Sequence, residues 1–184
     1  MLFLIIGLLL WAGAHGFKRL APQARQGLGD KGKGLVAVAV LLSVVLMVMG
    51  YRGADFVALW SPPAYLVHLN NLLMLIAFYL YAASAAKVWL AVKLRHPQLT
   101  AVKIWAVAHL LVNGDLASVV LFGGMLIWAV AEVIMINRAV PVWVPPVRAP
   151  AFKEVTTVII TLVVVAVVMG IHFWLGVAPW GIRA

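Results

Sequence analysis

Cysteine is absent from the 184-residue chain, and acidic residues are scarce, with five Asp and Glu in total. Without cysteine the chain cannot form a disulfide, an iron–sulfur cluster, a thiolate zinc site or a covalent c-type haem attachment. The few carboxylates also disfavour a hard-metal site built from acidic ligands and a carboxylate proton relay across a membrane. Histidine, which occurs five times, is the only strong nitrogen ligand left for a metal.

Apolar residues dominate the chain: 66% of it is hydrophobic and 10% is charged. A soluble domain of this size could not bury so much apolar surface, so the composition predicts that lipid is the main solvent. The net charge of +9 could suggest a nucleic-acid partner. The basic residues, however, form short clusters between apolar runs, which is typical of membrane orientation signals. We therefore expect the bilayer, and no nucleic acid, as a partner.

The alternation of apolar runs with charged or proline-rich segments predicts an all-α polytopic membrane protein. A single domain over residues 1–184 would contain six transmembrane helices, at about residues 1–17, 35–51, 64–92, 97–113, 115–137 and 154–176. Residues 18–34 are rich in glycine and basic side chains and are expected to form a flexible loop. Residues 140–150 are rich in proline and are expected to be extended. The first run lacks a basic segment before it, so we expect a span there and no cleaved signal peptide.

The basic residues are distributed unequally between the two sides of this topology. One side receives twelve of the fourteen: Lys18, Arg19, Arg25, Lys31, Lys33, Lys87, Lys93, Arg95, Lys103, Arg138, Arg148 and Lys153. The other side receives only Arg52 and Arg183. The positive-inside rule therefore predicts cytoplasmic basic loops and both termini on the non-cytoplasmic side. We expect the inner membrane as the location.

The segment from Arg95 to Gly124 combines most of the polar features of the chain. Pro97 suits the first turn of a helix, and the sequence Asn113-Gly114-Asp115 supplies residues that end one helix and start the next. These signals predict a helical hairpin. His109 lies four residues before the turn in an apolar run, where an ionisable residue is by default a candidate for function.

The depth of each histidine in the membrane follows from its position in its span and the helical rise per residue. His68, His109 and His172 fall in the outer half, and His15 and His96 fall in the inner half. Asn71 lies on the same helical face as His68. Trp105 and Trp11 each precede a histidine by four residues, which places an aromatic ring beside a nitrogen ligand. Such a pair suits a flat cofactor, and it suits ordinary packing equally well.

Glu132 is an acidic residue inside an apolar run. Counting outward from the hairpin turn places it near the level of Arg95 and His96. A buried carboxylate requires a cation, so we expect a structural ion pair with these two residues.

The histidines allow two interpretations. A single intramembrane histidine often stabilises helix packing through an interhelical hydrogen bond, so a scaffold or assembly factor without a cofactor is one alternative. Several helices that each bring an imidazole into lipid are typical of a bundle that holds haem. In that case a lipophilic small molecule is a possible ligand as well.

The motifs HPQL, WAVAHLLVNGDLAS and VLFGG between Arg95 and Gly124, together with His68-Leu69-Asn70-Asn71, resemble the NnrU family of bacterial membrane proteins. This family is associated with nitrite and nitric-oxide reduction in denitrifiers, and it is similar to zeta-carotene isomerase, in which haem b supports cis–trans isomerisation. The resemblance implies haem b, and either a redox-dependent isomerase of a carotenoid-like polyene or an accessory protein that works with other membrane components of denitrification.

The same resemblance implies particular site residues. The iron ligands fall on His109 and His15, with His68 and His172 as alternates, and Trp105, Trp11 and Asn71 complete the cofactor-binding set. The plant enzyme has a cysteine near its second ligand, and Ala106 occupies about that place here. A ligand switch that uses a thiolate is therefore excluded.

A second resemblance is weaker. Arg95-His96-Pro97 is similar to the start of a motif that binds S-adenosylmethionine in membrane methyltransferases. The tyrosine and glycine expected after it are Leu99 and Ala101 in this chain, so a SAM-dependent methyltransferase is the less favoured alternative.

Overall fold

The computed structural model describes residues 1–179, and in this range the regular elements are all helical. They are α1 (Leu2–Leu20), α2 (Pro22–Gly27), α3 (Lys31–Arg52), α4 (Leu66–Ala86), α5 (Pro97–Val112), α6 (Leu116–Ser118), a π-helical turn (Val119–Gly123), α7 (Gly124–Ala139) and α8 (Phe152–Trp174). Arg183, which entered the orientation count, lies outside the described residues.

Five helical segments are long and apolar enough to cross a membrane: α1, α3, α4, α8, and the continuous span Leu116–Ala139 formed by α6, the π turn and α7. Helix α5 is also apolar but has only 16 residues. Large apolar side chains are exposed over most of the outer surface of these helices. Such a surface requires lipid around it, so the prediction of an all-helical multi-pass membrane protein is confirmed.

The hairpin between α5 and α6 forms as the sequence indicates. Pro97 occupies the first turn of α5, where a missing N–H costs nothing. The Asp115 carboxylate caps α6 by accepting a hydrogen bond from the Ser118 N–H at 2.9 Å. These two local signals mark the ends of the hairpin in the sequence.

The prediction of a flexible loop over residues 18–34 is wrong. Helix α1 continues to Leu20, α2 begins at Pro22, and α3 begins at Lys31. Gly29 has a φ of 50°, a conformation that suits glycine and turns the chain between α2 and α3. The glycines therefore shape a compact helical turn in this segment.

Helix α4 ends at Ala86, several residues before the predicted end near residue 92. Lys87 adopts the left-handed conformation, with φ 55° and ψ 39°, and reverses the chain. Val88 and Ala91 then pack against Ala83 and are buried. Burial of these apolar side chains stabilises the chain reversal at Lys87 relative to a longer, exposed α4.

Helices α1 and α3 pack closely through glycine. Gly7 lies against the backbone of Ser43 and Met47, and Gly50 lies against the backbone of Leu4, which is fully buried. Because residue 4 meets residue 50 and residue 7 meets residues 43 and 47, the two helices are antiparallel. Small residues at such contacts allow the backbones to approach, as is typical of helix pairs in membranes.

The bundle has two ends that differ in charge. The basic end contains the turn between α1 and α3, the loop after α4 and the linker before α8; Ala149 N–H donates to Lys87 O at 3.0 Å to join the last two. The opposite end contains the loop over residues 53–65, which folds over the hairpin turn. There Leu59 N–H donates to Gly114 O at 2.7 Å, and Leu116 N–H donates to Val57 O at 2.9 Å.

Gly50→Ala is expected to weaken the α1–α3 contact. The added methyl group would meet the backbone of Leu4, which cannot move independently of its helix. Overpacking of this kind costs about 1–3 kcal/mol. Thermal unfolding of the detergent-solubilised protein should show the loss, whereas Gly34→Ala in the same helix, which meets nothing within 4 Å, should leave stability unchanged or slightly raised. Equal effects of the two substitutions would contradict close packing at Gly50.

Candidate functional site

The span Leu116–Ala139 is the element that both tryptophan–histidine pairs contact. Its π-helical turn at Val119–Gly123 interrupts the α-helical repeat and carries the buried side chain of Phe122. Trp128 lies further along the same span. Turns of π-helix inside α-helices are often found at functional sites, because they change the direction in which side chains point.

His109 is held against this span by its own helix. Its Nδ1 donates to the Trp105 carbonyl at 2.9 Å. The imidazole stacks on Phe122, with ring centroids 4.5 Å apart and an interplanar angle of 26°, and it lies 5.2 Å from the Trp105 ring. A carbonyl oxygen can only accept a hydrogen bond, so Nδ1 carries the proton in the neutral ring. Nε2 then retains a lone pair that can ligate a metal.

His15 repeats the arrangement on α1. Its Nδ1 donates to the Trp11 carbonyl at 2.9 Å, which leaves Nε2 as the basic nitrogen. The imidazole contacts two indoles, with centroids 4.2 Å from Trp11 and 5.0 Å from Trp128. The Trp11 ring is tilted by 32° from the imidazole plane, and the Trp128 ring meets the imidazole in an edge-type contact at 66°.

The other three histidines differ from one another. His172 donates from Nδ1 to Val168 O at 2.8 Å. His96 Nε2 bonds with the side chain of Asn137 at 2.8 Å. His68 is exposed on the first turn of α4. His172 is therefore the alternate ligand that shares the Nδ1 hydrogen bond of His109 and His15.

His15 and His109 contact different parts of the central span. His15 packs on Trp128 and His109 on Phe122, and these contacts are separated by about 9 Å along the helix axis. His15 therefore lies nearer the basic end than His109, as the inner and outer groups obtained from the sequence predict. Asn71 is not part of either aromatic cluster: its amide nitrogen donates to the Pro179 carbonyl at 2.9 Å.

The predicted pairing of Glu132 with Arg95 and His96 is wrong. Glu132 is 6% exposed and forms an ion pair with Arg19, which continues the Trp11 and His15 face of α1 by one more turn. The sequence placed Glu132 at the correct end of the bundle, but depth alone does not show which way a helix is rotated. Arg95 instead donates to the carbonyls of the linker at Val140 and Pro141.

The surroundings of His15 contain three buried polar atoms without a hydrogen-bond partner among the described residues. They are the indole nitrogens of Trp11 and Trp128 and the Oε2 oxygen of Glu132. Trp128 and Glu132 are four residues apart on one face of α7, just as Trp11 and His15 are on α1. This spacing was available in the sequence and could have identified Trp128 and Glu132 as members of the site.

At the opposite end, Asp115 and Ser118 belong to a polar network whose third member, Tyr51, the sequence did not indicate. Ser118 Oγ donates to Asp115 Oδ2 at 2.5 Å, so its hydroxyl proton is used there. The Tyr51 hydroxyl, 2.9 Å away, must then be the donor to Ser118. This chain of hydrogen bonds ties α3 to the start of the central span and keeps the α6 cap in place.

An apolar groove of about 500 Å³ lies between α4, α5 and α8. It is lined by Met74, Ala77, Phe78, Tyr81, Ala82, Ala101, Val102, Trp105, Ile160, Thr161 and Val164. Trp105 is the residue that links the groove to the histidines, because its ring lies 5.2 Å from His109 and 5.0 Å from Phe122. A groove of this volume and composition suits a lipophilic molecule.

Within residues 1–179, no three His, Cys, Asp or Glu side chains lie close enough together to hold a metal ion. A metal bound through one or two of the imidazoles would therefore take its remaining ligands from another molecule.

A model of one protein family, described as NnrU protein, matches residues 3–179, which is nearly the whole chain. No curated protein and no solved structure gives a significant match.

Arg19→Gln is expected to destabilise the bundle by about 1–3 kcal/mol, because it leaves the buried Glu132 carboxylate without a cation. The loss should be modest for a buried pair, since the Arg19 side chain is 33% exposed. Adding Glu132→Gln should recover most of it, because a neutral amide is cheaper to bury. Thermal unfolding measures both effects, with Lys18→Gln as the control for loss of a neighbouring charge. No recovery in the double variant would count against the pair.

Proposed function

Since the chain belongs to the NnrU family, we propose that it is a haem b-binding membrane protein that isomerises a carotenoid-like polyene taken up from the bilayer. The observation that carries the proposal is the position of Trp105, which lines the apolar groove and packs beside His109. A lipophilic molecule in the groove is thus separated from a potential iron ligand by a single side chain. An accessory role in nitrite or nitric-oxide reduction would need the histidines but not the groove.

The proposed topology has six spans with both termini on the non-cytoplasmic side of the inner membrane. Helix α5 would be about 24 Å long by the helical rise, so it needs little tilt or a locally thinned bilayer. The α5–α6 turn and the α1–α3 turn lie at opposite ends, as six alternating spans require. The basic end then faces the cytoplasm.

The donor atoms of this chain suit haem. His109 is the first proposed ligand, because its Nδ1–H is fixed by the Trp105 carbonyl and its Nε2 lone pair is unshared. The family resemblance favours His15 as the second ligand, and His172 is the alternate. Both carry the same hydrogen bond from Nδ1 to the carbonyl four residues earlier.

When bound, haem supplies a redox-active iron whose reactivity is set by its axial ligands and its apolar surroundings. The residues of this chain would hold it and exclude water. His109 and a second histidine would hold the iron, and the Phe122 and Trp105 rings shield the His109 imidazole. The groove would orient a polyene beside Trp105.

A scaffold without a cofactor is a poorer fit to these contacts. Histidines that join helices bond across an interface, yet His15, His109 and His172 each bond to a carbonyl of their own helix. Among the described histidines, His96 is the one with an interhelical hydrogen bond, to Asn137 on α7.

The absorption spectrum of the purified protein tests haem binding. The protein from haem-replete cells should show a Soret band and, after reduction with dithionite, a sharpened α band. His109→Ala should remove or shift these bands, and the same change at His15 or His172 should identify the second ligand. His96→Ala, which removes an imidazole engaged with Asn137, is the matched control and should leave the spectrum unchanged. A colourless, folded preparation would exclude haem.

The groove can be tested separately. Val164→Trp should fill it and lower the rate of polyene isomerisation by on the order of a hundredfold, because the substrate is displaced from its reactive position. Chromatography of a cis-configured carotenoid incubated with the reduced protein measures the rate. Val163→Trp, on the neighbouring exposed position of α8, is the control. Haem spectra should be unchanged in both variants. Haem binding without isomerisation in the unsubstituted protein would favour the accessory role.

A further inference from the structure

A second pocket, of about 200 Å³, lies at the basic end of the bundle. It is formed where the loop after α4 meets the proline-rich linker before α8. Lys87, Arg95, Ser84 and Trp143 supply its polar and aromatic lining, and no acidic side chain lines it. The pocket is separate from the groove and from the histidine clusters, so neither accounts for it.

The two cations in the pocket lack a counter-ion among the described residues. The ion pairs of residues 1–179 involve neither Lys87 nor Arg95. Arg95 donates to the neutral carbonyls of Val140 and Pro141, which fix the guanidinium in place without cancelling its charge. The neighbouring acid, Glu154, is already engaged by Arg148 at 2.7 Å and by the Trp89 N–H at 2.8 Å.

The backbone conformation of Lys87 is a second indication that the pocket is functional. Lys87 has the left-handed backbone conformation that glycine adopts most readily, with φ 55°. A lysine there is strained, and its backbone carbonyl accepts the Ala149 N–H that holds the linker over the pocket. The chain thus keeps a cationic side chain at a backbone position where it is unfavourable, which is a common feature of functional sites.

We propose that this pocket binds a phosphate group, carried by the headgroup of an anionic phospholipid. Two unpaired cations and a hydroxyl provide charge and hydrogen bonds for a phosphate, and apolar side chains such as Leu94 continue the pocket wall for the lipid portion. Trp143 suits a site at the depth of lipid headgroups, because tryptophan is enriched at the boundary between membrane and water. Basic pockets between helices on the cytoplasmic side are typical sites for anionic lipid headgroups.

Native mass spectrometry of the full-length protein in detergent tests this proposal. Phosphatidylglycerol should bind more tightly than phosphatidylcholine, and Lys87→Gln should weaken phosphatidylglycerol binding about fivefold, as loss of one cation near a membrane surface does. Lys93→Gln is the matched control, because it removes the same charge from the same loop but does not line the pocket. The control should bind phosphatidylglycerol as the unsubstituted protein does.

Two further measurements separate the alternatives. Lys87→Gly should lose phosphatidylglycerol binding to the same extent while relieving the backbone strain, so its unfolding temperature should not fall. Equal weakening by Lys87→Gln and Lys93→Gln would overturn the proposal in favour of general surface attraction. Displacement of phosphatidylglycerol by millimolar inorganic phosphate, with Lys87-dependent binding of phosphate itself, would overturn the lipid assignment in favour of the free ion.

Discussion

The Asp115 carboxylate fixes the start of the helix on which both tryptophan–histidine pairs depend. It caps α6 through Ser118, and Ser118 in turn receives the Tyr51 hydroxyl from α3. Because an uncapped helix end has unsatisfied N–H groups that are costly in lipid, this one residue fixes where the central span begins. The π turn that follows then sets where Phe122 and Trp128 lie relative to α5 and α1.

Local signals in the sequence were sufficient for most of the helices. Apolar runs predicted the long spans, and Pro97 and Asp115 predicted the hairpin ends. The end of α4 was not predictable in this way, because it depends on Val88 and Ala91 folding back against Ala83, and burial of small residues leaves little trace in an apolar sequence. The prediction for residues 18–34 was wrong because glycine and basic residues are common in loops. In the structure Pro22 occupies the first turn of α2, and the left-handed Gly29 allows α3 to begin directly after it.

The site was predictable in its residue types more than in its pairings. Depth counting placed Glu132 at the basic end, but Arg19 rather than Arg95 reaches it, since α1 packs beside α7 with Trp11 and His15 on the same face. Phe122 belongs to the VLFGG motif, but the motif does not indicate which side chain Phe122 contacts. Its contact with His109 arises from the π turn, and a single extra residue per turn cannot be inferred from a run of apolar letters.

Comparison of the three membrane histidines shows what the tryptophans contribute. His172 makes the same hydrogen bond as His15 and His109, yet the residue four positions earlier is Val168. The bond therefore requires only helical spacing, and the indole of Trp11 or Trp105 is not needed to orient the imidazole nitrogen. The contribution of each indole is its contact with a part of the bundle other than its own histidine. Trp11 packs against Trp128, and Trp105 forms part of the groove wall. The Trp-x-x-x-His spacing thus places each imidazole beside an indole with a second contact in the bundle. Of the two indoles, Trp105 is the one that lines the groove, where a lipophilic molecule can bind.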